Sequence, residues 1–125
     1  MILTSSVVLT MDNSGARRVR CIKVYKKPGR GSACVGDLLK VIILRLRNRG
    51  RIRVKRGEIH LALVTRIATP IFRNKKGYFF KFDTSAVVIL TKKKTPIGTR
   101  LFGPCAREIR KKQFTKIITM SGKLV

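Results

Sequence analysis

The stretch that decides the fold is residues 35–67, VGDLLKVIILRLRNRGRIRVKRGEIHLALVTRI, where apolar runs alternate with clusters of glycine and charged residues. Valine and isoleucine favour extended backbone, whereas Gly36-Asp37 and Gly57-Glu58 are typical turn sequences. The stretch therefore predicts three strands, at 38–46, 51–54 and 59–67.

The flanking sequence repeats this spacing. It predicts further strands at 6–11, 19–25, 71–73, 78–82 and 86–91, the last with the apolar sequence of a buried strand. In the strand at 19–25, alternation places Val19, Cys21 and Lys23 on one face. Ile22 and Val24 then lie nearer the other face. Because many short strands leave exposed edges unless the sheet closes, we predict an all-β domain built as a small closed barrel.

The end of the chain has a different pattern. After Gly103-Pro104, residues 105–112 carry basic residues toward their end, which predicts a helix of about two to three turns. Its inward positions are Ala106, Ile109 and Gln113, and its outward positions are Arg107, Arg110 and Lys111. Residues 114–120 fit a strand or a helical turn equally well. We predict one domain over residues 1–125, with the barrel at about 1–95 and the helical part at about 96–125.

The charge balance predicts a polyanionic partner. The 125 residues include 30 Lys and Arg against five Asp and Glu, for a formal net charge of +25, yet 44% are hydrophobic. A folded domain with this charge repels itself unless a polyanion neutralises it. No apolar run approaches the roughly 18–20 residues that span a bilayer, so nucleic acid is favoured over a membrane. The first eleven residues have the features of neither a signal peptide nor a transit peptide.

Few residues could carry catalysis or hold a metal. The chain has three cysteines without a CxxC pair and one histidine, His60, so neither a zinc site nor another metal site is predicted. The cysteines are expected to be small buried or half-buried residues in a reducing compartment. The five acids are isolated from one another and lie mostly beside glycine turns, where an acid caps the turn. We expect no enzyme activity and no cofactor. The Gly29-Arg30-Gly31 loop lacks the rest of a phosphate-binding motif.

The most specific basic pattern is an alternating row. Its members are Arg45, Arg47, Arg49, Arg51, Arg53 and Lys55. Alternate residues of an extended chain share one face at a spacing of roughly 6.5–7 Å, close to that of successive phosphates along one nucleic-acid strand. With residues 48–50 as a tip, we predict a two-stranded ribbon with arginine opposite arginine. The hairpin tip at 73–76 and the run Lys92-Lys93-Lys94 repeat the basic theme.

Aromatic residues cluster at Tyr78, Phe79, Phe80 and Phe82. They could form a platform on which bases stack, but core packing is favoured, with Phe80 and Phe82 on one face and Phe79 on the other. The sequence therefore favours recognition of the nucleic-acid backbone and shape over base reading.

Six motifs in order resemble one family over nearly the whole chain. They are Asp12-Asn13-Ser14-Gly15-Ala16-Arg17, Cys21-Ile22-Lys23-Val24, Val35-Gly36-Asp37, Val54-Lys55-Arg56-Gly57-Glu58, Phe82-Asp83, and Gly98-Thr99-Arg100-Leu101-Phe102-Gly103-Pro104 with Ala106-Arg107-Glu108. The chain resembles the bacterial-type large-subunit ribosomal protein fourteen family. The resemblance implies a five-stranded β-barrel with a short C-terminal helical segment.

The resemblance also implies partners. These are large-subunit rRNA, neighbouring large-subunit ribosomal proteins, small-subunit rRNA at an intersubunit bridge, and an anti-association (ribosome-silencing) factor. Together with the basic pattern, it gives the candidate rRNA-binding residues Arg17, Arg18, Arg45, Arg47, Arg49, Arg51, Arg53, Lys55, Arg73, Lys75, Lys76, Arg107 and Arg110. The factor-docking residues carried over by motif are Thr99, Arg100 and Lys116.

The chain departs from the family in its charge and in its last residues, Met120-Ser121-Gly122-Lys123-Leu124-Val125, where a lysine replaces the usual acid. Both departures suit a mitochondrial ribosome in the matrix, with a bacterial cytoplasmic ribosome as the alternative. The rival functions are a free-standing DNA- or RNA-binding module, such as a nucleoid or cold-shock-like protein, and a small RNA-modifying enzyme.

Overall fold

The computed structural model describes residues 1–25, 31–73, 77–112 and 114–125, without the side chains of residues 111 and 112. Within these ranges the chain forms seven strands and two short helical segments. The strands are β1 (Val7–Thr10), β2 (Ala16–Val24), β3 (Leu38–Leu46), β4 (Ile59–Arg66), β5 (Ile71–Phe72), β6 (Phe79–Phe80) and β7 (Ala86–Leu90). A 3₁₀ helix (Arg107–Lys112) and helix α1 (Thr115–Met120) follow.

Five of these strands close into a barrel in the order β1-β2-β3-β4-β7. Neighbours are antiparallel except β1 and β7, which run parallel with Leu9 opposite Ala86 and Thr10 opposite Val87. Closure gives each barrel strand a partner on both sides. The predicted all-β, closed five-stranded barrel is confirmed. β5 and β6 form a separate two-stranded sheet beside it.

The barrel core follows the alternation of the strands. In β3, Leu39, Val41 and Ile43 are buried and Lys40 is exposed. All five residues of β7 are buried, as predicted from their apolar sequence. Because alternate residues of a strand face opposite sides, both faces of β7 must be covered.

β2 departs from simple alternation. Val19 and Cys21 are buried as predicted, but Val24 is also buried and Lys23 is exposed, so the predicted faces of these last two residues were wrong. The cause is a register shift against β3 between Cys21 and Lys23. A bulge adds one residue to a strand and moves the following side chains to the opposite face.

The C-terminal helix is shorter than predicted. Cys105 donates its N–H to Lys123 O and accepts the N–H of Val125, at 3.0 and 2.9 Å, so its backbone pairs with the chain end. The helical turns therefore begin at Arg107 rather than at residue 105. Ala106 and Ile109 are fully buried, as predicted. The predicted inward position Gln113 lies outside the described residues, and α1 settles the open choice at 114–120 in favour of a helix.

The cysteines follow the prediction in two cases of three. Cys21 and Cys105 are buried, and burial raises the pKa of both thiols. Cys34 is exposed, so the prediction of a buried or half-buried residue is wrong for it. It lies in the turn before β3, where its backbone N–H donates to Asp37 Oδ2 at 2.8 Å.

Candidate nucleic-acid interface

Acidic side chains bind to turns of the fold, as the sequence predicted. Asp37 Oδ2 accepts the N–H of Cys34, and Glu58 Oε2 accepts the N–H of Lys55 at 2.9 Å. The Lys55 N–H, followed by a hydrogen bond with His60, lowers the pKa of Glu58. These carboxylates stabilise turns, and five acids against 30 cations leave a large excess of positive charge.

The arginine loop, residues 47–53, leaves the end of β3 and lies on the turn that joins β1 to β2. Arg47 donates its N–H to Gly15 O, and Arg53 donates its N–H to Ser14 O, both at 2.8 Å. The two arms of the loop therefore bind the turn rather than each other. The predicted strand at 51–54 and the two-stranded ribbon are wrong, because backbone groups that a ribbon would pair already bind Ser14 and Gly15.

Gly15 allows this close approach. It has a φ of +101°, and a Cβ at this position would lie 2.8 Å from the Cα of Ile52. A side chain here would push the arginine loop away from the turn and adopt an unfavourable backbone conformation. The position of the loop thus depends on a glycine more than thirty residues earlier in the chain.

Two arginines of the row contact the protein itself. The guanidinium of half-buried Arg47 lies 4.9 Å above the centre of the Phe102 ring, and its Nη2 lies 3.5 Å from Thr10 O. Arg53 donates from Nη1 to Ile97 O at 2.7 Å. Each guanidinium has five N–H donors, so both arginines keep N–H groups that can bind a further acceptor.

The other arginines of the row are exposed. Within the described part of the chain, the side chains of Arg45, Arg49 and Arg51 form no hydrogen bond or ion pair. In the barrel register Arg45 lies directly opposite Arg18 of β2, which is also exposed. The arginine-opposite-arginine arrangement predicted inside a ribbon therefore occurs between β2 and β3. Like charges directly opposite one another are unfavourable in water.

Two open grooves flank this region. One has a volume of about 540 Å³ and is lined by Leu9, Thr10, Arg17, Arg47, Asn48 and Arg49. The other, of about 210 Å³, lies between the arginine loop and the turn at Asn13–Gly15. Five arginines line these grooves: Arg17, Arg47, Arg49, Arg51 and Arg53. Together with the opposed pair Arg18 and Arg45 on β2 and β3, we call them the arginine surface.

Arg73, a predicted RNA contact, forms several contacts within the fold. Its Nε and Nη2 donate to the Glu108 carboxylate at 2.6 and 3.0 Å, and Nη2 also donates to the Val125 carbonyl. Its guanidinium lies 4.0 Å above the centre of the Phe80 ring. The Glu108 hydrogen bond raises the pKa of Arg73. Arg73 therefore ties the β5–β6 sheet to the C-terminal segment.

The remaining predicted cations are exposed where the structure describes them. Lys55, Arg107 and Arg110 are exposed, as is the run Lys92-Lys93-Lys94. Lys75 and Lys76, most of the hairpin tip and part of the loop at 28–32 lie outside the described residues. Lys23 and Lys40 form a second exposed pair of like charges opposite each other on β2 and β3.

The predicted docking residues are also exposed, and Asn13 fixes two of them. Asn13 Oδ1 accepts the N–H groups of Thr99 and Arg100 at 2.7 and 3.1 Å. Its Nδ2 donates to Thr99 Oγ1 at 2.9 Å. Lys116 is exposed on α1. The sequence did not reveal this role of Asn13, because its partners lie 86 and 87 residues further along the chain.

Asp12 is a buried connection that the sequence did not reveal. Its Oδ1 accepts the Ser14 hydroxyl at 2.7 Å, and its Oδ2 accepts the Ile89 N–H of β7 at 2.9 Å. Burial raises the pKa of Asp12, although the hydrogen bonds oppose the rise. The turn at residues 12–15 thus joins the barrel, the arginine loop and the Thr99-Arg100 segment.

The described residues contain no group of three or more His, Cys, Asp or Glu side chains placed to hold a metal ion. In the same ranges, no helix has the length and apolar character needed to cross a membrane. A five-stranded barrel that exposes an extended arginine surface is typical of polyanion-binding proteins.

The sequence profile of one family, Ribosomal protein L14p/L23e, matches residues 1–125, and the chain belongs to this family. It is a structural constituent of the large ribosomal subunit and not an enzyme, which confirms both predictions. It binds rRNA and neighbouring ribosomal proteins.

Proposed function

We propose that the arginine surface, together with Lys55, Arg107 and Arg110, binds phosphates of large-subunit rRNA. The observation that carries this proposal is the exposed pair Arg18 and Arg45, directly opposite each other on neighbouring strands. Such a pair repels itself in water and is stabilised when phosphates lie between or beside the two guanidinium groups. Lys75 and Lys76 belong to the proposed set on sequence grounds.

The test uses a double substitution that should raise the stability of the isolated protein and lower its affinity for rRNA. Arg18→Gln/Arg45→Gln should make the isolated protein slightly more stable, by about 0.2–1 kcal/mol, because it removes the repulsion. The same variant should bind rRNA more weakly. Arg20→Gln is the matched control: Arg20 is exposed on the same strand but lies opposite Ile42, so its replacement should not raise stability. A double variant that is no more stable than the parent, and binds rRNA equally well, would refute the proposal.

A bridge to small-subunit rRNA is a second part of the proposal. Exposed cations lie on several elements, including Lys23 and Lys40 on the barrel and Lys92–Lys94 after β7. Cations spread in this way can contact two RNA molecules at once. Replacing Lys92, Lys93 and Lys94 by Gln should weaken subunit association without removing the protein from the large subunit. Unchanged association by light scattering would exclude this segment as the bridge.

Thr99, Arg100 and Lys116 are proposed to dock an anti-association factor. The three side chains are exposed, and Asn13 holds the backbone of Thr99 and Arg100 in one conformation. Arg100→Glu should abolish capture of the factor by purified large subunits that contain a normal amount of the protein. Normal capture would show that the factor binds elsewhere.

The proposed compartment is the mitochondrial matrix, with bacterial cytoplasm as the alternative. The support is the charge of +25 and the replacement of an acid by Lys123 near the chain end. Stoichiometric recovery with large subunits of purified mitochondria, after a high-salt wash, is expected. Recovery only with ribosomes outside mitochondria would overturn the assignment to mitochondria.

A further inference from the structure

The β5–β6 sheet presents two aromatic rings to solvent. Its register places Ile71 opposite Phe80 and Phe72 opposite Phe79. Ile71 and Phe80 pack against the hydrophobic core, whereas Phe72 and Phe79 are 72% and 60% exposed. The exposed rings contact each other, with centroids 5.8 Å apart and planes inclined by 49°. The outer face of the sheet is therefore an aromatic surface that the core does not use.

The inner face holds this surface in place. Phe80 packs edge-on against Phe82, with centroids 5.5 Å apart and an interplanar angle of 84°. Arg73 covers the Phe80 ring at 4.0 Å and is itself bound by Glu108. Phe80 and Phe82 thus lie on one face and Phe79 on the other, as predicted. The contacts of Phe80 with Phe82 and Arg73 fix the strand that carries Phe79.

The charge around the rings favours a polyanion over an uncharged or basic partner. In sequence, residues 72–83 contain four cations, Arg73, Lys75, Lys76 and Lys81, against one acid, Asp83. Of the described cations, Arg73 is paired with Glu108 and Lys81 forms no ion pair within the described residues. Lys81, directly after β6, is exposed, and the side chain of Tyr78, directly before β6, is 69% exposed. Flat apolar rings next to cations match an unpaired nucleotide, which combines a π-face with a phosphate.

We propose that Phe72 and Phe79 form a stacking site for an unpaired nucleobase of RNA. This inference deepens the proposed function and rests on it, but it uses a different surface and a different interaction. The arginine surface binds phosphates regardless of base pairing, whereas the aromatic pair requires a base that is not stacked within a duplex.

The test compares side chains that keep or lose the aromatic face. Phe72→Leu and Phe79→Leu retain most of the apolar area but lose the π-face, and Phe72→Tyr and Phe79→Tyr keep it. Each Leu variant should bind a short single-stranded RNA about 5- to 150-fold more weakly, and each Tyr variant should bind like the parent. Binding to the matching duplex should not change. A fluorescent purine analogue in the single strand should be quenched by the parent and not by a double Leu variant.

The slope of affinity against salt separates this proposal from the phosphate-binding proposal. Leu substitutions remove no charge, so they should lower affinity and leave the slope unchanged. Leu variants that bind single-stranded RNA like the parent would overturn the stacking site, even if arginine variants behave as proposed. Leu variants that bind RNA normally, while Ala variants fail to assemble into the subunit, would indicate a protein partner and would equally overturn it.

Discussion

At the scale of single residues, the turn at 12–15 has the greatest effect on the site. Asp12 binds β7, Asn13 binds Thr99 and Arg100, and the carbonyls of Ser14 and Gly15 bind the arginine loop. The loop and the docking segment therefore share one support, although neither is close to the turn in sequence.

Asp12→Asn is expected to destabilise the protein by about 1–3 kcal/mol at neutral pH. An amide NH₂ in place of one carboxylate oxygen leaves a buried donor, of Ser14 or of Ile89, without an acceptor. Urea unfolding measures the change. Asp83→Asn, at an exposed acid, is the control and should stay within about 0.5 kcal/mol of the parent. Equal effects of the two substitutions would contradict the role given to Asp12.

The raised pKa of Asp12 also predicts how the difference in unfolding free energy between the parent and Asp12→Asn changes with pH. Burial raises the pKa above 3.8, so at pH values between 3.8 and the folded-state pKa the folded protein binds more protons than the unfolded chain. Stability contributed by Asp12 is therefore present below that window and is lost as the pH rises through it. The advantage of the parent over Asp12→Asn should be largest in acid and should shrink with rising pH. An advantage that grows with pH would show that the folded-state pKa is lowered.

At the scale of elements, sequence patterns predicted most strands and the pairing of β5 with β6, but not the conformation of residues 47–55. The strand at 38–46 was predicted with its observed bounds, because β-branched residues and turns act locally. The ribbon at 45–55 was wrong because a distant turn binds both arms of the arginine loop. The opposition of Arg18 and Arg45 depends on register shifts in β2, which periodicity does not report.

Gly15 and Gly50 form a matched pair that tests how the turn holds the arginine loop. Both have a φ near +100°, but a Cβ at Gly15 would meet the Ile52 backbone, whereas a Cβ at Gly50 meets nothing within 4 Å. Gly50→Ala should cost about 1–2 kcal/mol through backbone strain alone. Gly15→Ala should cost more and should also weaken rRNA binding, because the loop must move. Denaturant unfolding and RNA titration would show this difference, and equal losses in the two variants would contradict it.

At the scale of the whole molecule, the charge predicted the class of partner, but it could not predict which cations stay available. Arg73 satisfied the sequence criteria for a phosphate contact, yet Glu108 binds it. Arg49 and Arg51, in contrast, form no hydrogen bond or ion pair within the described ranges. Only the folded arrangement of the five acids separates these two kinds of arginine.

Phosphate binding by the arginine surface is the central claim, and the salt dependence of rRNA affinity tests it most directly. Affinity should fall with rising salt, with a logarithmic slope of roughly 0.7–0.9 per neutralised phosphate. Arg49→Gln/Arg51→Gln should weaken binding and make the slope shallower by about 1.5–2. Ile52→Ala, in the same loop, removes no charge and should leave the slope unchanged. If the double Gln variant keeps the parental slope on every ribosomal RNA tested, these arginines are a solvated surface and do not bind phosphate.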